Sequence, residues 1–355
     1  MSKKKFLLMI VTILTFVLSG CTKPTVNPVP PTKTSQSEKT KKQGDYLSIT
    51  YTEYVNGQDT TNGMMMRVTT FDLQSKVMTK LADIPYTSQY PFSIASLMDN
   101  KIYYSADVQN KGDQLFAYDL QTKKAEQLSD ELFAINYIVP TTEKGPIVMA
   151  AVKKGDRVLK TVLYDKQNHQ IEFIHDEDLD GNTWAVSYNK EVNKTYLARY
   201  SENAMKKQQG ISNKQQIALV PPDYTVVELD NETKTERPVI SLKNEQINSL
   251  TSSGHQLLLV TSHRINLSPI EYSLVDIMSG KRTKLDLPIS SRSDVYLSHD
   301  GKGIYYLGST STKDLNEGRG IYYYDFATKN RQPIFLQKNG FINNFMLVSS
   351  NVKKD

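Results

Sequence analysis

Three features of the sequence predict an all-β fold, a six-bladed β-propeller with one-plus-three strand closure. A β-rich segment ending in Asp recurs six times, the copies lie one blade length apart, and one strand is left over near the C-terminal end. The repeats end at Phe71-Asp72, Tyr118-Asp119, Tyr164-Asp165, Leu229-Asp230, Val275-Asp276 and Tyr324-Asp325. Each Asp is followed three residues later by Ser, Thr or Asn, and then by Lys76, Lys123, His169, Lys234, Gly280 or Lys329. The aspartates are 47, 46, 65, 46 and 49 residues apart, the period of four-stranded propeller blades. An Asp carboxylate at the start of a turn accepts backbone N–H groups two residues on and fixes a hairpin. The six acids are therefore read as turn formers and not as a catalytic set.

Strands A to D run from the inner to the outer edge of each blade. In the second blade they are expected at 92–97, 101–107, 114–118 and 125–128, and in the last at 293–298, 303–308, 320–324 and 332–336. The first repeat begins at strand B, residues 46–52, while residues 341–349 form a strand with no repeat of their own. Placed innermost in the first blade, that strand closes the ring and removes the edges an open array would expose. The stretch Leu297-Ser298-His299-Asp300-Gly301-Lys302-Gly303-Ile304-Tyr305-Tyr306, followed by Gly320-Ile321-Tyr322-Tyr323-Tyr324-Asp325, resembles the repeat of TolB-like, WD-repeat-like propellers. The resemblance implies an architecture and not an activity.

Ahead of the repeats lies a different composition. Lys3, Lys4 and Lys5 precede an apolar run over residues 6–18, which is shorter than the roughly 20 residues of a spanning helix and has the layout of a secretory signal. It ends in Leu18-Ser19-Gly20-Cys21, which resembles the lipobox of bacterial lipoproteins. That resemblance implies cleavage between Gly20 and Cys21, lipidation of Cys21, and a palmitate-bearing anchor on the extracytoplasmic face of the cell membrane. Residues 22–44 hold Pro24, Pro28, Pro30 and Pro31 among Thr, Ser and Lys, a composition that builds no core. As a coil, this tether spans about 27 Å. The expected organisation is thus a signal peptide at 1–20, a lipidated cysteine and tether at 21–44, and the propeller at 45–355.

The chain carries one cysteine, which excludes an intrachain disulfide framework and a Cys-type metal site. The net charge of +5 is concentrated near the N-terminus, because residues 45–355 hold 35 basic and 37 acidic side chains. A near-neutral domain gives no electrostatic footprint for nucleic acid. The five histidines show no ligand spacing, and no Gly-x-Ser-x-Gly nucleophile motif occurs.

Connections between blades and B–C loops share one end of the propeller, and A–B and C–D turns share the other. Three features fall at the D–A/B–C end. Asp176, Asp178 and Asp180, with Gly181, have the spacing that opens a calcium loop, although position 12 is Ser187 and not Glu. No cofactor is required by the reading, and calcium is the one the loop suggests. Asn136, Asn248, Asp294 and Asn343 lie 17, 18, 18 and 18 residues after their repeat aspartates, and the same offsets fall on Gln89-Tyr90 and Asn182-Thr183 in the other two blades. With Trp184 they form a candidate ligand-binding ring at the channel mouth. Residues 201–223 are an insertion between strands B and C of the fourth blade, read as a lid or docking arm. The expected function is non-catalytic binding of a protein, peptide or envelope glycan at this end. The alternative is a metal-dependent hydrolase or lactonase at the channel mouth, since six-bladed gluconolactonase-like enzymes hold a divalent metal with inner-strand Asn, Asp and Glu.

Overall fold

A computed structural model of the chain describes residues 44–349, except 56–62, 88–90, 110, 266–268, 292–293, 311–316 and 338–339. The signal, Gly20, Cys21 and the tether up to residue 43, together with Gln89 and Tyr90, lie outside the described residues.

The fold is all-β, with six four-stranded antiparallel sheets. From inner to outer strand, the second blade is Ser93–Ser96, Lys101–Asp107, Asp113–Asp119 and Ala125–Gln127, and the third is Leu132–Pro140, Ile147–Lys153, Leu159–Asp165 and Gln170–Phe173. The fourth is Gly181–Asn189, Lys194–Ser201, Tyr224–Asp230 and Glu236–Leu242. The fifth is Gln246–Ser253, Gln256–Ser262, Glu271–Asp276 and Arg282–Leu285, and the sixth is Val295–Leu297, Gly303–Gly308, Gly320–Asp325 and Arg331–Leu336.

The first blade is built from both ends of the chain. Its inner strand, Phe341–Val348, pairs antiparallel with Tyr46–Tyr54, and Met64–Asp72 and Met78–Pro85 follow outward. This is the one-plus-three closure. Apolar packing seals the same joint, since Leu47, Ile49, Ile342 and Phe345 of the first blade share a cluster with Tyr305 and Ile321 of the sixth. Phe345 is fully buried, with its ring 5.0 Å from that of Tyr296. His299 Nδ1 lies 2.6 Å from the Asp45 carboxylate, and the hydroxyl of Ser349 donates to the same carboxylate at 3.2 Å. Both chain ends are thereby fixed to the A–B turn of the sixth blade.

All six repeat aspartates make the expected turn. Asp119 Oδ1, for example, accepts the N–H groups of Gln121 and Thr122 at 2.9 and 2.7 Å. The residue four places after each Asp has a left-handed φ between 56° and 67°. Only at Gly280 is that position free of a Cβ that resists it. The turn's own backbone and side-chain hydrogen bonds hold five of these carboxyls below the ordinary aspartate range, and at Asp230 the Lys194 ammonium is the largest cause.

The insertion in the fourth blade is mostly a helix, Glu202–Gln215. Ser201 caps it, its Oγ accepting Ala204 N–H at 3.0 Å, and Lys214 lies in the last turn. Met205 is its only buried residue, so the helix stands on the surface. Sequence signals for it were present: a Ser cap, Glu in the first turn and a run of good helix formers.

Candidate functional site: the central channel

The acidic loop does not fit a calcium ion. Lys160, which is 2 % exposed, reaches in from the third blade and its ammonium donates to the carbonyl oxygens of Asp176 and Asp178. Each carboxylate is also engaged elsewhere. Asp176 pairs with Lys153, Asp178 Oδ1 accepts the N–H groups of Asp180 and Gly181, and Asp180 accepts Ser201 Oγ and Asn203 N–H. A fixed ammonium sits where the loop carbonyls would face a cation, and the three carboxylates point to three separate tasks. Asp180 thereby ties the loop to the insertion, at the N-terminus of its helix. Lys206 pairs with Glu202 of its own helix, at 3.8 Å.

Among the described residues, one His/carboxylate group has ligand atoms close enough for a metal: Glu245, His263 and Glu271 in the fifth blade. Glu245 is held by both nitrogens of Arg282 at 2.6 and 2.8 Å, and Glu271 by Lys284 at 2.9 Å. Burial alone would raise the Glu245 carboxyl, but Arg282 and Thr261 outweigh it and hold the carboxyl low. The charges of the two glutamates are thus already balanced by Arg282 and Lys284.

The predicted channel ring has a structural basis that spacing alone does not reveal. Asn136, Trp184, Asn248 and Asn343 are each the residue skipped where pairing of the inner strand to strand B shifts register. They are equivalent β-bulges in four blades, and a bulge re-aims a side chain out of the normal alternation. In the fourth blade the bulged residue is Trp184, and not the Asn182-Thr183 pair that the offset selected; the Asn182 side chain instead donates to Glu202 at 3.1 Å. Asp294 stands just ahead of the sixth inner strand with φ of 52°. Two of the asparagines bond a strand-B hydroxyl, in opposite senses: Asn248 Nδ2 donates to Ser262 Oγ at 3.1 Å, and Asn343 Oδ1 accepts from Thr52 Oγ1 at 2.7 Å.

Further along the inner strands, aromatic side chains pack between neighbouring blades. Tyr137 lies 6.0 Å from Phe92, and Tyr296 lies 5.0 Å from Phe345. Burial, and then the Asp294 charge, pushes both phenols well above their ordinary range.

On the far side of these rings, at the A–B/C–D end, is a cavity of about 300 Å³. Its apolar wall includes Ile94, Val139, Val186 and Leu347; Ser96, Ser187, Ser252 and Ser253 supply hydroxyls, Lys190 and Glu191 supply charge, and His299 adds an imidazole. Burial lowers the Lys190 ammonium, opposed by the charge of Asp45. None of Asn136, Trp184, Asn248, Asp294 or Asn343 borders this cavity. Among the described residues, the axial cavity thus lies at the A–B/C–D end, opposite the end at which the ligand site was expected. A second hollow of about 320 Å³, on the flank between the third and fourth blades, is bordered by Lys144, Asp165, Glu172 and Lys234, and its Lys234–Glu172 ion pair is already formed.

Six closed four-stranded sheets around an axial channel define a TolB-like six-bladed propeller. The crystal structure of TolB from Acinetobacter baumannii matches with a TM-score of 0.55 at 12% identity, covering 86% of this chain and 67% of that one. Oligogalacturonate lyase from Vibrio parahaemolyticus matches at 0.43 and 12% identity, over 83% and 86% of the two chains. An oligogalacturonate lyase in complex with manganese matches at 0.44 and 11% identity, over the same shares. No protein-family profile and no curated protein sequence matches the chain. The likeness is one of fold.

Proposed function

We propose that this chain is a lipid-anchored binding protein of the bacterial cell surface, whose propeller captures a protein or peptide segment in the cavity at the A–B/C–D end of its channel. The cavity itself is the observation that carries this reading. Its mixture of aliphatic wall, hydroxyls and opposite charges at the rim suits the end or a loop of a polypeptide, which offers apolar side chains and backbone polar groups together. Asp45, where the tether joins the domain, is bonded to His299 on that rim. As a coil the tether averages about 27 Å, so the domain works close to the membrane surface.

The test is capture on intact cells by the anchored protein, with crosslinked partners identified and then titrated against the soluble domain. Ser187→Phe adds a ring in the cavity, where the Ser187 hydroxyl meets only Ser252 at 3.0 Å and the N–H of Ser252 at 2.9 Å. The variant is expected to keep its melting temperature within a few degrees and to lose capture. Unchanged capture by a folded variant would refute the cavity as the binding site.

A further inference from the structure

The chain leaves the propeller from the wall of its own cavity. Leu347, Val348 and Ser349 all border that hollow, and Val348 ends the innermost strand of the first blade. The other five inner strands turn outward at this end and pair with the strand that follows them in sequence. Closure of the ring denies that course to the first blade. Tyr46–Tyr54 is already flanked by Phe341–Val348 on one side and Met64–Asp72 on the other, so it offers no free edge to the residues after Ser349.

Residues 350–355 lie outside the described residues, and their sequence runs Ser350-Asn351-Val352-Lys353-Lys354-Asp355. The one apolar side chain, Val352, comes three residues after Ser349. Three extended residues reach about 10 Å, enough to bring Val352 over the aliphatic surface of Val139, Val186 and Leu347. The rim adds a charge argument. Glu191 is exposed there and forms no ion pair with any described residue, whereas Lys190 beside it feels the charge of Asp45. Two consecutive lysines after Val352 supply the cation that Glu191 lacks.

We propose that residues 351–354 fold back into the cavity, with Val352 on the aliphatic wall and Lys353 or Lys354 paired with Glu191, and that a captured segment must displace them. This rests on the proposed function in taking the cavity as a site for polypeptide, and adds to it an internal competitor. A segment held by so short a link has an effective concentration in roughly the millimolar range. A contact with an intrinsic dissociation constant of about 0.1 mM then fills the cavity in about nine molecules of ten and weakens a partner's apparent affinity about tenfold.

The contact is tested without a partner by combining Ser187→Cys with Val352→Cys in the full-length protein. A disulfide, located by peptide mapping without reductant, should form at least about tenfold faster than in the combination of Met278→Cys with Val352→Cys. Position 278 is 76 % exposed on a C–D turn at the same end, and mapping separates any bridge to Cys21, the one native cysteine. Lys353→Glu with Lys354→Glu should slow the 187–352 bridge about threefold, and Glu191→Lys added to them should restore it. Melting curves establish that each variant is folded. Equal rates for the two pairs, or a rate that the charge reversals leave untouched, would overturn the proposal. Removal of the residues after Ser349 should leave the melting temperature unchanged and tighten capture of the crosslinked partner about tenfold; capture that stays equal or weakens would also overturn it. If neither the truncated nor the whole protein captures a partner while the 187–352 bridge forms fast, the proposed function falls and the internal contact stands.

Discussion

Phe345→Ala probes ring closure at a single side chain. Phe345 lies on the strand that the C-terminal end of the chain lends to the first blade, is wholly buried, and packs with residues of both the first and the sixth blades. Its truncation removes a large apolar side chain and leaves a void that a closed ring cannot collapse onto, because the neighbouring strands are held by their own ladders. The expected cost is about 3–5 kcal/mol, a large part of a total stability of about 5–15 kcal/mol. At about 2 °C per kcal/mol for a domain of this size, the melting temperature should fall by about 6–10 °C. Phe133→Ala, at a side chain that is 46 % exposed, should change stability by less than about 0.5 kcal/mol and serves as the control. Urea unfolding of both variants, followed by far-UV circular dichroism, measures the difference. A cost for Phe345→Ala no larger than that of the control would show that the C-terminal strand does not close the ring.

Three further expectations follow from the same structure. Lys160→Met withdraws the ammonium from the carbonyls of Asp176 and Asp178 and should cost about 1–3 kcal/mol, read by urea unfolding; added calcium restoring that loss in the wild-type-like range would show the loop to be a metal site after all. Acid should destabilise the domain in a defined window. The turn carboxyls are depressed by the hydrogen bonds they accept, so their contribution is complete above the unfolded value of about 3.9 and is lost as pH falls through the lower folded values. Melting temperature should therefore stay nearly flat from neutral pH to about 5 and fall below about 4; a fall confined to pH 6–7 would contradict this. Cys21→Ala should leave the precursor unlipidated and uncut at Gly20–Cys21, as judged by mass on a gel and by fatty-acid labelling, and normal processing of that variant would refute the lipobox reading.

The blade count was legible because each turn is encoded locally. An Asp, a hydroxyl or amide three places on, and a residue in the left-handed region at the fifth place recur within every repeat, so a short window suffices. The strand limits 101–107 and 303–308 coincide with those found, Lys101–Asp107 and Gly303–Gly308, for the same reason. What depended on pairing across strands was not legible. The bulge at Trp184 is a property of its register with strand B, so counting from Asp165 pointed one or two residues too early. The ammonium of Lys160 fills a loop whose own residues spell a metal site, and no reading of that loop by itself exposes a neighbour on another strand. Asp45 and His299 are 254 residues apart, so their contact at the cavity rim is visible in neither segment alone. The helix at Glu202–Gln215 is a different case, since its cap and composition were there to be read within a segment taken only as a long loop.

The claim that the protein binds through its A–B/C–D cavity is tested most directly by placing a photo-crosslinking amino acid at Ser187, inside the cavity, and at Met278, a 76 % exposed residue on a C–D turn at the same end. On intact cells, irradiation is predicted to give a discrete protein adduct from position 187, one that excess purified soluble domain abolishes, and none from position 278. No adduct from 187, or the same adducts from both positions, would contradict the account.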